Sequence, residues 1–166
     1  MSRLLLTMLL IIPAFPVCAA GVGGMFGLGR NHFSLVAGSG SAFDKNYFVI
    51  GASVTHYVRD GFGVGLSVEK WSGSDPGITK YSPFAQYVFF QSSWVQPYVG
   101  GFYRHTSVSG LSGINSVGGR VGAYFAYGSH TYASVGIVHE SYLDCRQSVY
   151  RTCTSTYPDI GLTAGF

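Results

Sequence analysis

Near the carboxy-terminal end, His139, Glu140 and Ser141 stand in a row. On a strand, the first and third would share one face and Glu140 would take the other. A His two residues from a Ser can serve as base and nucleophile. That chemistry also needs an acid to orient the ring and donors to hold the oxyanion. The neighbouring residues supply neither, so the plainer reading is preferred: a His at the rim beside a Glu turned to the interior. Cys145 and Cys153, with seven residues between them, suit a loop disulfide in an oxidising compartment. Closing so short a loop is worth roughly 2–3 kcal/mol in the chain-entropy account. A metal site would need more ligands than the adjacent Asp144 supplies, and a redox pair is more often Cys-x-x-Cys. The glycines of Gly61, Gly63 and Gly65 suggest a phosphate loop only superficially. They alternate along a strand and fail the motif at Leu66, so no cofactor or metal is expected.

The elements that would carry these groups follow from composition. Of 166 residues, 47% are apolar, 16% aromatic and only 10% charged, and 24 are Gly. A soluble domain carries roughly 25% charge, and a disordered chain would be more charged and poorer in aromatics. Apolar runs of roughly 18 residues, the mark of spanning helices, are absent. High apolarity without such runs leaves alternation, and alternation means strands. The formal charge of +3 shows no basic cluster, which argues against nucleic acid as a partner.

The amino terminus reads as an address. Arg3 precedes an apolar core from Leu4 to Ile12, Pro13 and Pro16 break it, and the small residues Cys18 and Ala20 suit a signal peptidase. The expected division is a signal peptide over 1–20, cleaved before Gly21, and one domain over 21–166. Neither a membrane anchor, which needs a longer span, nor lipidation at Cys18, which Val17 and Pro16 disfavour, fits as well. Removing Arg3 would leave a charge of +2.

Gly21 to Arg30 shows no period and reads as a lead-in. Strands are then expected near His32–Ser39, Tyr47–Val58, Phe62–Glu69, Tyr81–Phe90, Trp94–His105, Val117–Tyr127, Thr131–Tyr142 and Tyr157–Phe166. Arg59, Asp60 and Gly61 form a hairpin turn of the Asp-Gly kind. The connections alternate long and short: Gly40–Asn46, Ser72–Lys80, Thr106–Ser116 and Leu143–Thr154 are the long ones. That asymmetry, with strands of about ten residues, predicts an all-β, eight-stranded, antiparallel up-and-down transmembrane barrel. Closure is required because lipid cannot pair an open edge. Eight strands give a bore that side chains can fill, and the inward glycines make room for the large inward groups.

By parity Glu69, Arg120, Glu140 and Asp159 face inward, and Gln86, Gln96 and Arg104 join them. Inside a narrow bore such charges should meet one another, since an unpaired one costs several kcal/mol. Aromatics placed near strand ends, among them Tyr47, Tyr57, Trp71, Tyr81, Trp94, Tyr103, Tyr127, Tyr132 and Tyr157, are expected to form girdles at head-group level.

The chain closes on a strand in which Asp159, Gly161, Ala164 and Phe166 match the polar, Gly, apolar, aromatic pattern with which outer-membrane barrels commonly end. With its signal segment and eight strands, the chain resembles the small outer-membrane barrels: the OmpX/Ail proteins, the OmpA transmembrane domain and OmpW. The stretches that carry the likeness are Tyr81–Tyr103 and Val135–Phe166, where Val138, His139, Glu140 and Ser141 are similar to the aromatic-Glu-Gln-Ser of OmpX-like seventh strands. The resemblance implies a monomeric barrel in the bacterial outer membrane that presents loops outside and has a non-catalytic surface or envelope role, with adhesion, complement resistance or envelope integrity among its relatives' roles. Its partners would be lipopolysaccharide, the barrel-assembly machinery through the last strand, and a host or surface ligand at the outer loops. An alternative resemblance is to lipid A 3-O-deacylase, whose penultimate strand bears His-x-Ser-Asn facing lipid. His139 and Ser141 match, Tyr142 departs from the Asn, and no Glu opens the last strand. A second alternative is an OmpW-like small-solute channel, which requires a lateral apolar path.

Overall fold

A computed structural model describes residues 24–42, 45–90, 94–110, 112–127, 129–143, 145 and 153–166. The expected signal segment and its cleavage point lie outside the described residues. Eight strands follow a short 3-10 turn at Gly24–Phe26: β1 (Asn31–Ala42), β2 (Lys45–Arg59), β3 (Phe62–Ser72), β4 (Ile78–Val88), β5 (Val95–Val108), β6 (Ile114–Ala126), β7 (Thr131–Tyr142) and β8 (Thr154–Gly165). Each pairs antiparallel with its sequence neighbours, and β1 with β8 closes the barrel.

The period-two pattern sets the faces. Along β3, Val64, Leu66 and Val68 point outward, Leu66 at 65% exposure, while Gly65, Ser67 and Glu69 point in. The same holds around the ring, so Leu35, Ile50, Val99, Val121, Ile137 and Leu162 form an apolar outer wall. A closed wall with apolar side chains outside and polar ones inside inverts a soluble protein and suits lipid. No backbone edge meets lipid where the ladders are complete.

The strands run 11 to 15 residues, longer than the roughly 9–11 that a crossing needs. Their extra length lies at the end away from the termini and absorbs much of the expected long loops. The connections there are residues 43–44, 73–77, 109–113 and 143–153, against 60–61, 89–94 and 127–130 at the other end. The regular long–short alternation therefore holds only for the last outer loop. Gly40, Lys80 and Thr106, expected in loops, lie in strands, because a strand pairing with a neighbour on either side continues past the point where its sequence turns polar.

The inward glycines lie where large inward rings need room. A Cβ on Gly118 would sit 2.3 Å from Phe102 Cζ, one on Gly65 2.5 Å from Phe84 Cζ, and one on Gly136 2.4 Å from the Tyr98 hydroxyl.

Two ladders are interrupted, one of them at a proline. Between β4 and β5 the register holds at Tyr81↔His105 and Phe84↔Phe102 but skips the pairs between, where Pro83 has no N–H to donate. Between β1 and β8 pairing covers only His32↔Gly165 to Val36↔Gly161. Continuing that register would bring Pro158 opposite Ser39, and beyond Val36 the two strands do not pair. Pro97, by contrast, sits in an unbroken β5–β6 ladder opposite Ala123.

Candidate functional site: a sealed, charged bore

The interior is stacked in layers. At the end bearing the termini, Phe26, Tyr57, Val88, Tyr98, Tyr124 and Tyr132 pack into one cluster. Phe26 comes from the lead-in, which the sequence shows only as an aperiodic stretch. Here its 3-10 turn enters the bore, and the ring is fully buried against Tyr57, Tyr124 and Tyr132 at centroid distances of 5.6, 5.2 and 5.2 Å.

Gln86 lies above this cluster. Its Nε2 donates to the Tyr57 hydroxyl at 2.8 Å, and its Oε1 accepts from Arg120 Nη2 at 2.6 Å. The Arg120 guanidinium stacks over Phe84, 4.2 Å from the ring centre, a contact worth more where water is excluded.

The densest polar contacts surround Arg104. Nη2 reaches Glu69 Oε1 at 3.0 Å and Nη1 reaches Glu140 Oε2 at 2.9 Å. Nε donates to Ser82 Oγ at 2.8 Å, and Nη1 also donates to the Tyr157 hydroxyl. Glu140 is wholly buried, accepting from Ser116 Oγ at 2.5 Å and from the Tyr157 hydroxyl at 2.9 Å. Glu69 also accepts from Trp71 Nε1 at 3.3 Å. Every carboxylate oxygen here has a donor, the condition under which buried ions are tolerated. The bond from Arg104 Nε to Ser82 Oγ spans the ladder gap left by Pro83. The outer mouth is filled by Tyr47, Val49, Trp71, Ile78 and Val108, with the Lys80 ammonium 4.0 Å over the Trp71 ring.

The four inward charges read from parity do not make one network. Glu69 and Glu140 meet on Arg104, whereas Arg120 bonds Gln86 and Asp159 joins no ion pair among the described residues. Arg120 and Asp159 lie on β6 and β8, with β7 between. Both line a cavity of about 50 Å³ shared with Glu69, Arg104, Ser67 and Tyr157, room for a few water molecules. Lys80 escapes a reading that places residues 72–80 in a loop, although Lys80, Ser82, Phe84 and Gln86 share one parity. Among the described inward residues Lys80, Arg104 and Arg120 balance Glu69, Glu140 and Asp159.

The aromatic girdle is divided by parity. Tyr81, Trp94, Tyr103 and Tyr127 are exposed on the outer wall at 43–85%, but Tyr47, Tyr57, Trp71 and Tyr132 are buried in the bore at 0–9%, and the Tyr157 hydroxyl takes part in the Arg104 network. Position near a strand end sets the height of a ring, and parity sets its side.

His139 and Ser141 lie on the outer wall. His139 is directly opposite Thr156 in the ladder, and its Nδ1 is 2.8 Å from Thr156 Oγ1. A hydroxyl therefore stands where a hydrolytic triad needs a carboxylate. Glu140 and Asp159, the nearby acids on β7 and β8, point into the bore. At the outer end, a disulfide joins Cys145 to Cys153 across the longest connection, most of which lies outside the described residues. Asp159, Gly161 and Ala164 lie on β8. Gly161 is buried and Ala164 faces outward, and Phe166 closes the barrel by exchanging backbone bonds with Asn31 at 2.9 and 3.1 Å.

No protein-family model and no curated protein sequence matches the chain. Solved structures do. The amino-terminal β-barrel domain of Pseudomonas aeruginosa OprF aligns with a TM-score of 0.67 at 14% identity, covering 84% of this chain and 99% of that one. Neisserial surface protein A aligns at 0.55 and 16% identity, covering 82% and 96%. Ail, the attachment invasion locus protein of Yersinia pestis, aligns at 0.53 and 17% identity, covering 84% and 99%. With the apolar wall and closed ladder, these matches show that the chain has the fold of the small eight-stranded outer-membrane barrels.

Proposed function

We propose that the chain is an integral barrel of the bacterial outer membrane with a non-catalytic role at the cell surface. It would act as a rigid wall that presents its outer connections to lipopolysaccharide and to surface ligands. The observation that carries this reading is the pair of absences at the sites where other activities would reside. Among the described residues, an aromatic cluster at one end of the bore and a mixed aromatic and aliphatic cluster at the other pack its mouths, and His139 has Thr156 in place of an orienting acid. The disulfide-clamped connection 143–153 is the principal candidate for contact with a ligand. Assembly through the last strand, ending in Phe166, and a monomeric state belong to the same proposal.

The test compares membranes with and without the protein. Mass spectra of lipid A are expected to be identical, and Ser141→Ala is expected to change nothing. Loss of one acyl chain, abolished by Ser141→Ala, would sink the non-catalytic reading. Exchanging residues 143–153 for a short turn is expected to remove binding to host cells or serum factors while the barrel still folds.

A second reading, a small-solute path, is supported by one observation. The polar cavity is lined by Val36 and Asp159, which flank the unpaired part of the β1–β8 seam, so a solute could enter from the side. Uptake of small solutes by vesicles, lost when the seam is cross-linked, would favour it over the surface role.

A further inference from the structure

We propose that the segment Gly24–Arg30 is a latch that holds the barrel's closing seam shut. That seam is the shortest in the molecule. β1 and β8 pair over five residues, His32 to Val36, against nine between β4 and β5 and twelve between β1 and β2. A barrel in lipid whose first and last strands are held by so short a ladder needs other contacts across the join.

The segment before β1 supplies them from within the bore. Phe26 touches rings on both sides of β8: Tyr132 on β7 at 5.2 Å, and His32 on β1 and Tyr57 on β2 at 5.0 and 5.6 Å. β8 lies directly beneath, where a Cβ on Gly165 would be 2.2 Å from Met25 Cε. The segment is tied down by backbone bonds from Gly61 N to Phe26 O at 2.8 Å and from Gly29 N to Tyr57 O at 2.7 Å. Leu28 N donates to Asp60 Oδ1 at 2.8 Å, and His32 Nε2 lies 2.8 Å from Met25 O. The ring of Phe26 therefore packs on β1 and β2 on one side of β8 and on β6 and β7 on the other, two pairs of strands that flank one another only when β8 meets β1. The hydrogen bonds anchor the segment to β1, β2 and the turn after β2, and its packing on β6, β7 and β8 is completed only by closure and resists reopening.

The proposal predicts where stability is lost, which a generic core truncation does not. Phe26→Ala in the full chain, folded in lipid vesicles, is compared with Val108→Ala in the outer apolar cluster. Amide exchange in β1 and β8, at Leu35 and Leu162, is expected to quicken about tenfold or more in Phe26→Ala relative to amides of β4 and β5. Val108→Ala should show no preference for that seam. Exchange that rises evenly around the ring in Phe26→Ala overturns the latch. Should Phe26→Ala not fold, a cross-strand disulfide decides. Ser34 and Thr163 face each other across the seam with oxygens 2.8 Å apart. Ser34→Cys with Thr163→Cys, oxidised during folding, is expected to restore the barrel to Phe26→Ala, and failure to restore it refutes the role.

Discussion

Arg104→Ala is expected to lower the unfolding free energy of the barrel by about 3–5 kcal/mol, the cost of removing one partner from a buried ion pair. The substitution leaves Glu69 and Glu140, formerly 3.0 and 2.9 Å from one guanidinium, as two carboxylates in a bore with no cation bound to either. It also removes the Nε bond that spans the β4–β5 gap at Ser82. Urea unfolding in lipid vesicles measures the loss. Converting two residues together, Arg104→Met with Glu69→Gln, should recover part of it, because Lys80 and Arg120 then still balance Glu140 and Asp159 in the bore. A loss below about 1 kcal/mol for Arg104→Ala, the scale of a solvated pair, would mean that water reaches the network and that the bore is not sealed.

Gly136→Ala is expected to cost about 1–3 kcal/mol through overpacking. Its new Cβ would lie 2.4 Å from the Tyr98 hydroxyl and 2.9 Å from Val121 O. The nearer obstacle is one atom on a side chain, so Tyr98→Phe should relieve a large part of the strain. In a double-mutant cycle the two changes should be markedly non-additive. Additive costs would show that the backbone contact with β6 dominates, and that the glycine is not there to receive the Tyr98 ring.

These effects also show how much the sequence discloses. Alternation along β3, from Phe62 to Glu69, and along β6, from Val117 to Phe125, reveals which residues face in, because parity is a local property. Glu69, Arg104, Arg120 and Asp159 line the cavity inside the bore, and Glu140 is wholly buried in the bore. Which of them meet is a matter of height in the bore and side-chain reach, set by register around the whole ring. Hence Arg104, not Arg120, gathers the carboxylates. Strand ends mislead in the same way. Tyr57 and Trp71 sit at the level of a girdle but turn inward, since proximity to an end says nothing of side. Lys80 and Thr106 are lost to a reading that stops strands at the first polar residues, where pairing carries the strand on. Pro83 coincides with a break in β4–β5 pairing, whereas Pro97 and Pro158 sit in unbroken β5–β6 and β7–β8 ladders, so a proline alone does not mark a break. The latch has no local signature at all. Phe26 is a single aromatic in a glycine-rich stretch, and its partners come from strands up to about a hundred residues away along the chain.

The wall itself is tested most directly on β3. Single cysteines at neighbouring positions, Leu66→Cys and Ser67→Cys, in the barrel folded in vesicles, are treated with a lipid-soluble maleimide. Reaction is expected at 66 and not at 67 until the barrel is unfolded, since one position faces hydrocarbon and the other faces the packed bore. Equal reaction at the two positions in the folded barrel would contradict side chains that alternate between lipid and a packed interior.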